Sequence, residues 1–212
     1  MRLLNVKIFE DYTTDDNLEE SMNKFIENAV QLLLHAKVHL IIYACVSGSF
    51  IEGLKGERAI RQKIETITKI PTITASMALI NTLKYFHLAK VLLLTPYPHE
   101  IHMLAKNFFE ENNIDVLEHK TLDISDSIAI GKTGIEEIYN LAKSFNNKNA
   151  DSLVISCTNL KTFGIIDRLE EEIGIPVITS TQSILWQFLK HFKYKGILRG
   201  YGRIFNVDDF SS

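Results

Sequence analysis

The chain has two cysteines, Cys45 and Cys157, and each ends an apolar run: Leu40-Ile41-Ile42-Tyr43-Ala44-Cys45 and Leu153-Val154-Ile155-Ser156-Cys157. Each is followed by small or polar residues, Val46-Ser47-Gly48-Ser49 and Thr158-Asn159, which suit the start of a helix. A helix start offers unpaired N–H groups and the positive end of the dipole. These lower a thiol pKa and bind carboxylate oxygens. Strands that end at one sheet edge would aim both sulfurs into one cleft. Two thiols on opposite faces of a substrate suit proton transfer or covalent addition without a cofactor. Taken singly, each cysteine is better explained as a small buried side chain at a strand end. It is the paired placement that favours chemistry.

Other reactive residues fit less well. The cysteines lack the short Cys-x-x-Cys spacing of a zinc site, so no metal is expected. His99 and His102 stand three apart at a helix start, but no carboxylate motif completes a metal site there, and they read as solvent-exposed or partly packed. Tyr97, in Thr95-Pro96-Tyr97, ends a buried strand and puts a phenol where the cysteines point. It suits donation to a substrate carboxylate, and equally a ring packed at the sheet edge. No Gly-x-Gly-x-x-Gly, Walker or Gly-x-Ser-x-Gly pattern occurs.

The elements that must position these residues follow from periodicity. Asn17 to Ala36 repeats its apolar residues at the helical spacing, and helical patterns recur at 53–67, 76–88, 98–113, 133–147, 161–173 and 182–191. Between them lie short apolar runs, Val38 to Tyr43, Val91 to Leu94, Ser152 to Ser156 and Pro176 to Thr179, which read as buried parallel strands. The alternation predicts an α/β fold with mainly parallel sheets.

Three segments of the first half recur in order in the second. The cysteine runs are offset by 112 residues (45 to 157). Ile70-Pro71-Thr72-Ile73-Thr74-Ala75-Ser76 is echoed by Ile175-Pro176-Val177-Ile178-Thr179-Ser180-Thr181, offset by 105 (71 to 176), each a strand running into a small-hydroxyl helix cap. Lys90 to Tyr97 parallels Lys195 to Gly202, again at 105 (90 to 195). Two pseudo-symmetric lobes are expected, 1–88 with 195–212 forming the first and 89–194 the second, with the site between them.

Composition narrows the function. Apolar residues at 46% and charged residues at 23% are ordinary for a globular protein and exclude a disordered or fibrous chain. A net charge of −3 argues against a nucleic-acid binder and leaves room for a small anionic substrate held by local donors. The apolar runs are too short to cross a bilayer, the N-terminus lacks a secretory pattern, and two cysteines suit free thiols, so a cytoplasmic protein is expected.

Together, Tyr43-Ala44-Cys45-Val46-Ser47-Gly48-Ser49-Phe50, Ile70-Pro71-Thr72-Ile73-Thr74-Ala75-Ser76, Thr95-Pro96-Tyr97, Ser156-Cys157-Thr158-Asn159-Leu160 and Gly200-Tyr201-Gly202-Arg203 resemble the maleate cis-trans isomerase and arylmalonate decarboxylase branch of the Asp/Glu racemase superfamily. The resemblance implies two flavodoxin-like lobes, an active site in their cleft, no cofactor, and a homodimer or higher assembly. It implies that Cys45 adds to the double bond of maleate and that Cys157 works as acid or base across the cleft. Tyr97, Ser47 and the N–H groups of Val46, Ser47, Thr158 and Asn159 would hold the carboxylates. Having both cysteines resembles the isomerases and racemases rather than the decarboxylases. A two-cysteine amino-acid or hydantoin-type racemase and a non-catalytic anion-binding relative are the alternatives. The sequence departs from the pattern in three places: it begins near the family's second strand without an Asn-bearing turn, Ser127 stands where isomerases tend to have a carboxylate-binding Asn, and Val46 replaces the usual Thr.

Overall fold

The computed structural model describes residues 18–146, 149–206 and 210. Within them lie six strands, all paired in parallel, in two sheets. The first sheet joins β1 (Ile41–Tyr43) to β2 (Thr72–Thr74). The second has β3 (Lys90–Thr95), β4 (Asp115–Thr121), β5 (Ser152–Ile155) and β6 (Val177–Thr179) in the order β4-β3-β5-β6. The intervening helices are α1 (Leu18–His35), α2 (Val46–Phe50), α3 (Gly53–Thr68), α4 (Ala75–Tyr85), α5 (His99–Glu111), α6 (Ser127–Lys132), α7 (Ile135–Lys143), α8 (Ile166–Ile173) and α9 (Ser180–His191).

Val91, Leu92, Leu93 and Leu94 of β3 are all buried, as are all four residues of β5, because helices cover both faces of the second sheet. That is why these strands are unbroken apolar runs. β4 differs: it is an edge strand whose Asp115-Val116-Leu117-Glu118-His119-Lys120-Thr121 mixes charged and apolar residues, so no apolar run announces it. A smaller core lies against β1, where Ile26 and Val30 of α1 and Ile64 of α3 meet Ile41 and Tyr43.

The internal repeat is visible in atomic detail. Tyr43, the last residue of β1, pairs with Thr74, and Ile155, the last of β5, pairs with Thr179. Thr74 caps α4 by accepting the Met77 N–H, and Thr179 caps α9 by accepting the Gln182 N–H. Before each capping strand a glutamate closes the preceding helix onto it: Glu65 accepts the Thr72 N–H at 3.1 Å and Glu170 accepts the Val177 N–H at 2.8 Å. Both helices end in left-handed residues, Lys69 (φ 58°) and Gly174 (φ 79°). The capping threonines, the glutamates and the left-handed residues are each 105 residues apart, and the strand ends Tyr43 and Ile155 are 112 apart, the two spacings read from the sequence. Helices α4 and α9 pack side by side, and each also touches the strand that leads into the other, α4 on β6 and α9 on β2.

The repeat is not carried through everywhere, and one helix start lies elsewhere than expected. Lys195 to Gly202 forms no strand, although it parallels β3 in sequence; Gly200 and Gly202 take positive φ and bend the segment onto α8 and α9, with Gly202 N–H on Asp167 and the Tyr201 carbonyl on Gln182. Cys157 leads into a turn, and the next helix begins only at Ile166. The N-terminal departure from the family pattern lies outside the described residues. No helix among the described residues is long and apolar enough to cross a membrane.

Candidate active site

Cys45 and Cys157 each stand two residues beyond a parallel strand, at the carboxyl ends of β1 and β5. This is the edge where open α/β sheets hold ligands. Cys45 is the N-cap of α2, with extended backbone, and its sulfur accepts the Gly48 N–H at 3.4 Å. The Ser47 hydroxyl lies 3.8 Å from the same sulfur. Val46 and Ser47 occupy the first turn, where N–H groups have no helical acceptor. Val46 is buried, while Cys45 and Ser47 are partly exposed. The Ser49 hydroxyl bridges the Val46 carbonyl (2.8 Å) and Ser76 Oγ (2.7 Å), fixing α2 against the start of α4.

Cys157 is more enclosed, at 6% exposure. Its sulfur accepts the Asn159 N–H at 3.4 Å. Burial pushes the thiol above its ordinary pKa, because a thiolate there loses water. The Tyr97 phenol and the N–H groups of Asn159 and Leu160 act in the opposite direction, and the nearby Cys45 adds to the upward push.

Thr158 joins the two turns directly: its hydroxyl donates to the Ala44 carbonyl at 2.7 Å. Asn159 is exposed, and its amide Nδ2 donates to the Ser127 carbonyl at 2.6 Å. Ser127 thus meets the site's residues through its backbone, at the start of a helix capped by Asp126. Tyr97 is buried, with its ring edge-on to Phe50 at 6.1 Å, so its packing role and its polar role coexist. Cys45 and Ser47 thus belong to one turn and Cys157, Thr158 and Asn159 to the other, with the Ser127 carbonyl bonded to Asn159 and the Tyr97 phenol beside Cys157.

The histidine expectation needs correcting. His99 is exposed, but His102 is buried at 1% exposure, hydrogen-bonded to Thr95 and His119. Burial, then the neighbouring His119 and His99, lower its pKa to about 4. A helix pattern alone does not reveal that β4 supplies His119 as its partner. The Ala44 carbonyl and the Leu160 N–H also escaped notice, because backbone groups carry no residue-type signal. Among the described residues no group of three or more His, Cys, Asp or Glu is placed to hold a metal ion.

A maleate isomerase of Alcaligenes faecalis is 26% identical over 165 residues, 75% of this chain and 65% of that relative, so the alignment leaves more than a third of the relative uncovered. The crystal structure of a Pseudomonas putida S16 maleate isomerase with maleate superposes with a TM-score of 0.86 at 20% identity, covering 91% of this chain and 79% of that one. A cysteine-to-serine mutant of the Nocardia farcinica maleate cis-trans isomerase, with a covalently bound succinylcysteine intermediate, gives the same TM-score at 20% identity, covering 91% and 81%. These structural likenesses establish the α/β fold. The family model for arylmalonate decarboxylase matches residues 11–205, a span that takes in both cysteine turns, Tyr97 and the Gly202 bend, and the chain belongs to the arylmalonate decarboxylase family.

Proposed function

We propose that the protein is a cofactor-independent isomerase of a small dicarboxylate, converting maleate to fumarate through a cysteine adduct. The observation that carries this reading is the Thr158 to Ala44 hydrogen bond, which holds the two cysteine turns together. Cys45 is the more accessible thiol and serves as the nucleophile. As a thiolate it forms a bond to one alkene carbon, and the π electron pair moves to the neighbouring carbon and into its carboxylate. The former double bond, now single, rotates. When the pair returns, the sulfur–carbon bond breaks and the trans alkene leaves.

Cys157, kept protonated by burial, lends its proton to the carbanionic carbon and takes it back. Neither protons nor electrons are consumed overall. The succinylcysteine of the Nocardia farcinica mutant supports a cysteine adduct, since a succinyl group is the saturated form that a protonated adduct would have. Ser47 and the N–H groups of Val46, Ser47 and Thr158 hold the carboxylates, where fixed donors stabilise the enediolate, and Tyr97 and the Asn159 N–H turn to them from the Cys157 sulfur when substrate binds. Ser127 serves by holding the Asn159 side chain.

Proton NMR of the protein with maleate and no added cofactor tests the reading. The fumarate singlet should appear, vanish after iodoacetamide, and fall by roughly 10²-fold or more in Cys45→Ala or Cys157→Ala. No fumarate from folded protein, or alanine variants as fast as the parent, would overturn it. A two-base racemase is the second reading, favoured by the matched 3.4 Å N–H contacts on both sulfurs. Solvent deuterium entering the α-carbon of a chiral amino acid or hydantoin would identify it.

A further inference from the structure

Away from the two cysteines, Thr95 Oγ1 lies 2.9 Å from His102 Nδ1, and His102 Nε2 lies 2.9 Å from His119 Nδ1. Thr95 and His102 are buried, and His119 is half-buried. His102 is neutral near pH 7, so one ring nitrogen donates and the other accepts. The buried Thr95 proton is best used on Nδ1, which leaves the His102 proton on Nε2, donated to His119. The chain of bonds then has one direction, from strand β3 through helix α5 to strand β4. The titratable groups facing His102 are His119 from β4 and His99 from its own helix.

This chain starts on Thr95, the residue that leads into Pro96-Tyr97. The same turn is held again by β4 and the segment after it: the Thr121 hydroxyl donates to the Tyr97 carbonyl, the Leu122 N–H to the Thr95 carbonyl at 3.1 Å, and the Ile124 N–H to the Pro96 carbonyl at 2.8 Å. His119 and Thr121 are two apart on one strand and so share a face. β4 therefore grips the turn twice, directly at Tyr97 and through the imidazole pair at Thr95. Beyond the turn, the Tyr97 phenol neighbours the Cys157 thiol and draws its pKa down, against the upward push of burial and of Cys45.

We propose that His102 is a positioning residue for the candidate active site: with Thr95 and His119 it fixes the Pro96-Tyr97 turn, so that the Tyr97 phenol stays on the Cys157 sulfur. The proposal rests on the reading of Cys157 as a working thiol, but its test needs no turnover. Carbamidomethylation of Cys157 in the intact protein is followed against pH by peptide mass spectrometry, together with the melting temperature. Removing the phenol with Tyr97→Phe should raise the midpoint pH for Cys157 alkylation. His102→Leu and the near-isosteric Thr95→Val should raise it in the same direction, by up to about one pH unit, a tenfold slower reaction at fixed pH. His102→Gln, whose amide carries an acceptor and a donor, should restore the parent midpoint.

A lower melting temperature with an unmoved Cys157 midpoint, in His102→Leu or, should that variant not fold, in Thr95→Val, would make His102 merely structural and overturn the proposal. An unmoved midpoint in Tyr97→Phe would also overturn it. Shifted midpoints in a protein that makes no fumarate would defeat the isomerase reading and leave this one standing.

Discussion

Thr158 Oγ1 donates to the Ala44 carbonyl at 2.7 Å, joining residues 114 positions apart, and the two cysteines flank that bond. Cys45 follows the acceptor and Cys157 precedes the donor, so one hydrogen bond sets the register of both thiol-bearing turns. Thr158→Val keeps the shape and removes the donor. Its stability cost should be about 1 kcal/mol, as for a single hydrogen bond at a partly exposed site. Its effect on turnover should be larger, about tenfold or more, because misplacing one reacting group relative to another is costly. Urea unfolding and maleate turnover on the same preparation separate the two effects.

The cysteines should also differ in reactivity. Cys157 is buried and its thiol is pushed up, so its thiolate becomes abundant only at higher pH than an ordinary thiol's. Iodoacetamide near pH 7.5 is therefore expected to label Cys45 first, with Cys157 gaining ground as the pH rises. Peptide mass spectrometry over a pH series reads this directly, and equal labelling at all pH values would contradict the assigned roles.

Acid should destabilise the fold through His102. Its folded pKa of about 4 lies below the ordinary 6.5, so the unfolded chain binds more protons between those values. Stability is thus fully present above pH 6.5 and is lost as the pH falls toward 4, by about 3 kcal/mol at most. Urea titrations at pH 7 and pH 4.5 should show this loss, and His102→Gln should lack that portion of it.

Gly202→Ala should be severe. With φ 93° and ψ 166°, the residue sits in a region open essentially to glycine, and an added Cβ would lie 2.5 Å from Gln182 Nε2 and 2.6 Å from an Ile166 methyl. We expect a loss of about 2–4 kcal/mol, visible as a lowered melting temperature. The conservative control Gly164→Ala, with nothing near its added Cβ, should melt close to the parent.

Much of this architecture was legible in the sequence. Strands such as β3 and β5 are buried on both faces and so are continuous apolar runs, and the Ile-Pro segments before β2 and β6 gave the repeat its spacing. The edge strand β4 was not legible, because Asp115, Glu118 and Lys120 break its pattern. The site divides in the same way. Cys45, Cys157 and Tyr97 are recognisable by residue type, whereas the Ala44 carbonyl, the Ser127 carbonyl and the Leu160 N–H are backbone groups placed by tertiary contacts. His102 was misjudged because its partner His119 lies on the strand that the sequence concealed.

The paired glutamates Glu65 and Glu170 bear on how the chain acquires its shape. Each reaches only seven residues ahead, to Thr72 and to Val177, and each does so where its helix has just ended in a left-handed residue. Contacts of such short span close early, because little chain entropy is lost in forming them. The molecule therefore holds two local nuclei of the same design, one per half, able to form before the halves meet. The long-range joining of Ala44 to Thr158 is expected to come late, so the two cysteine turns should be among the last features to come together.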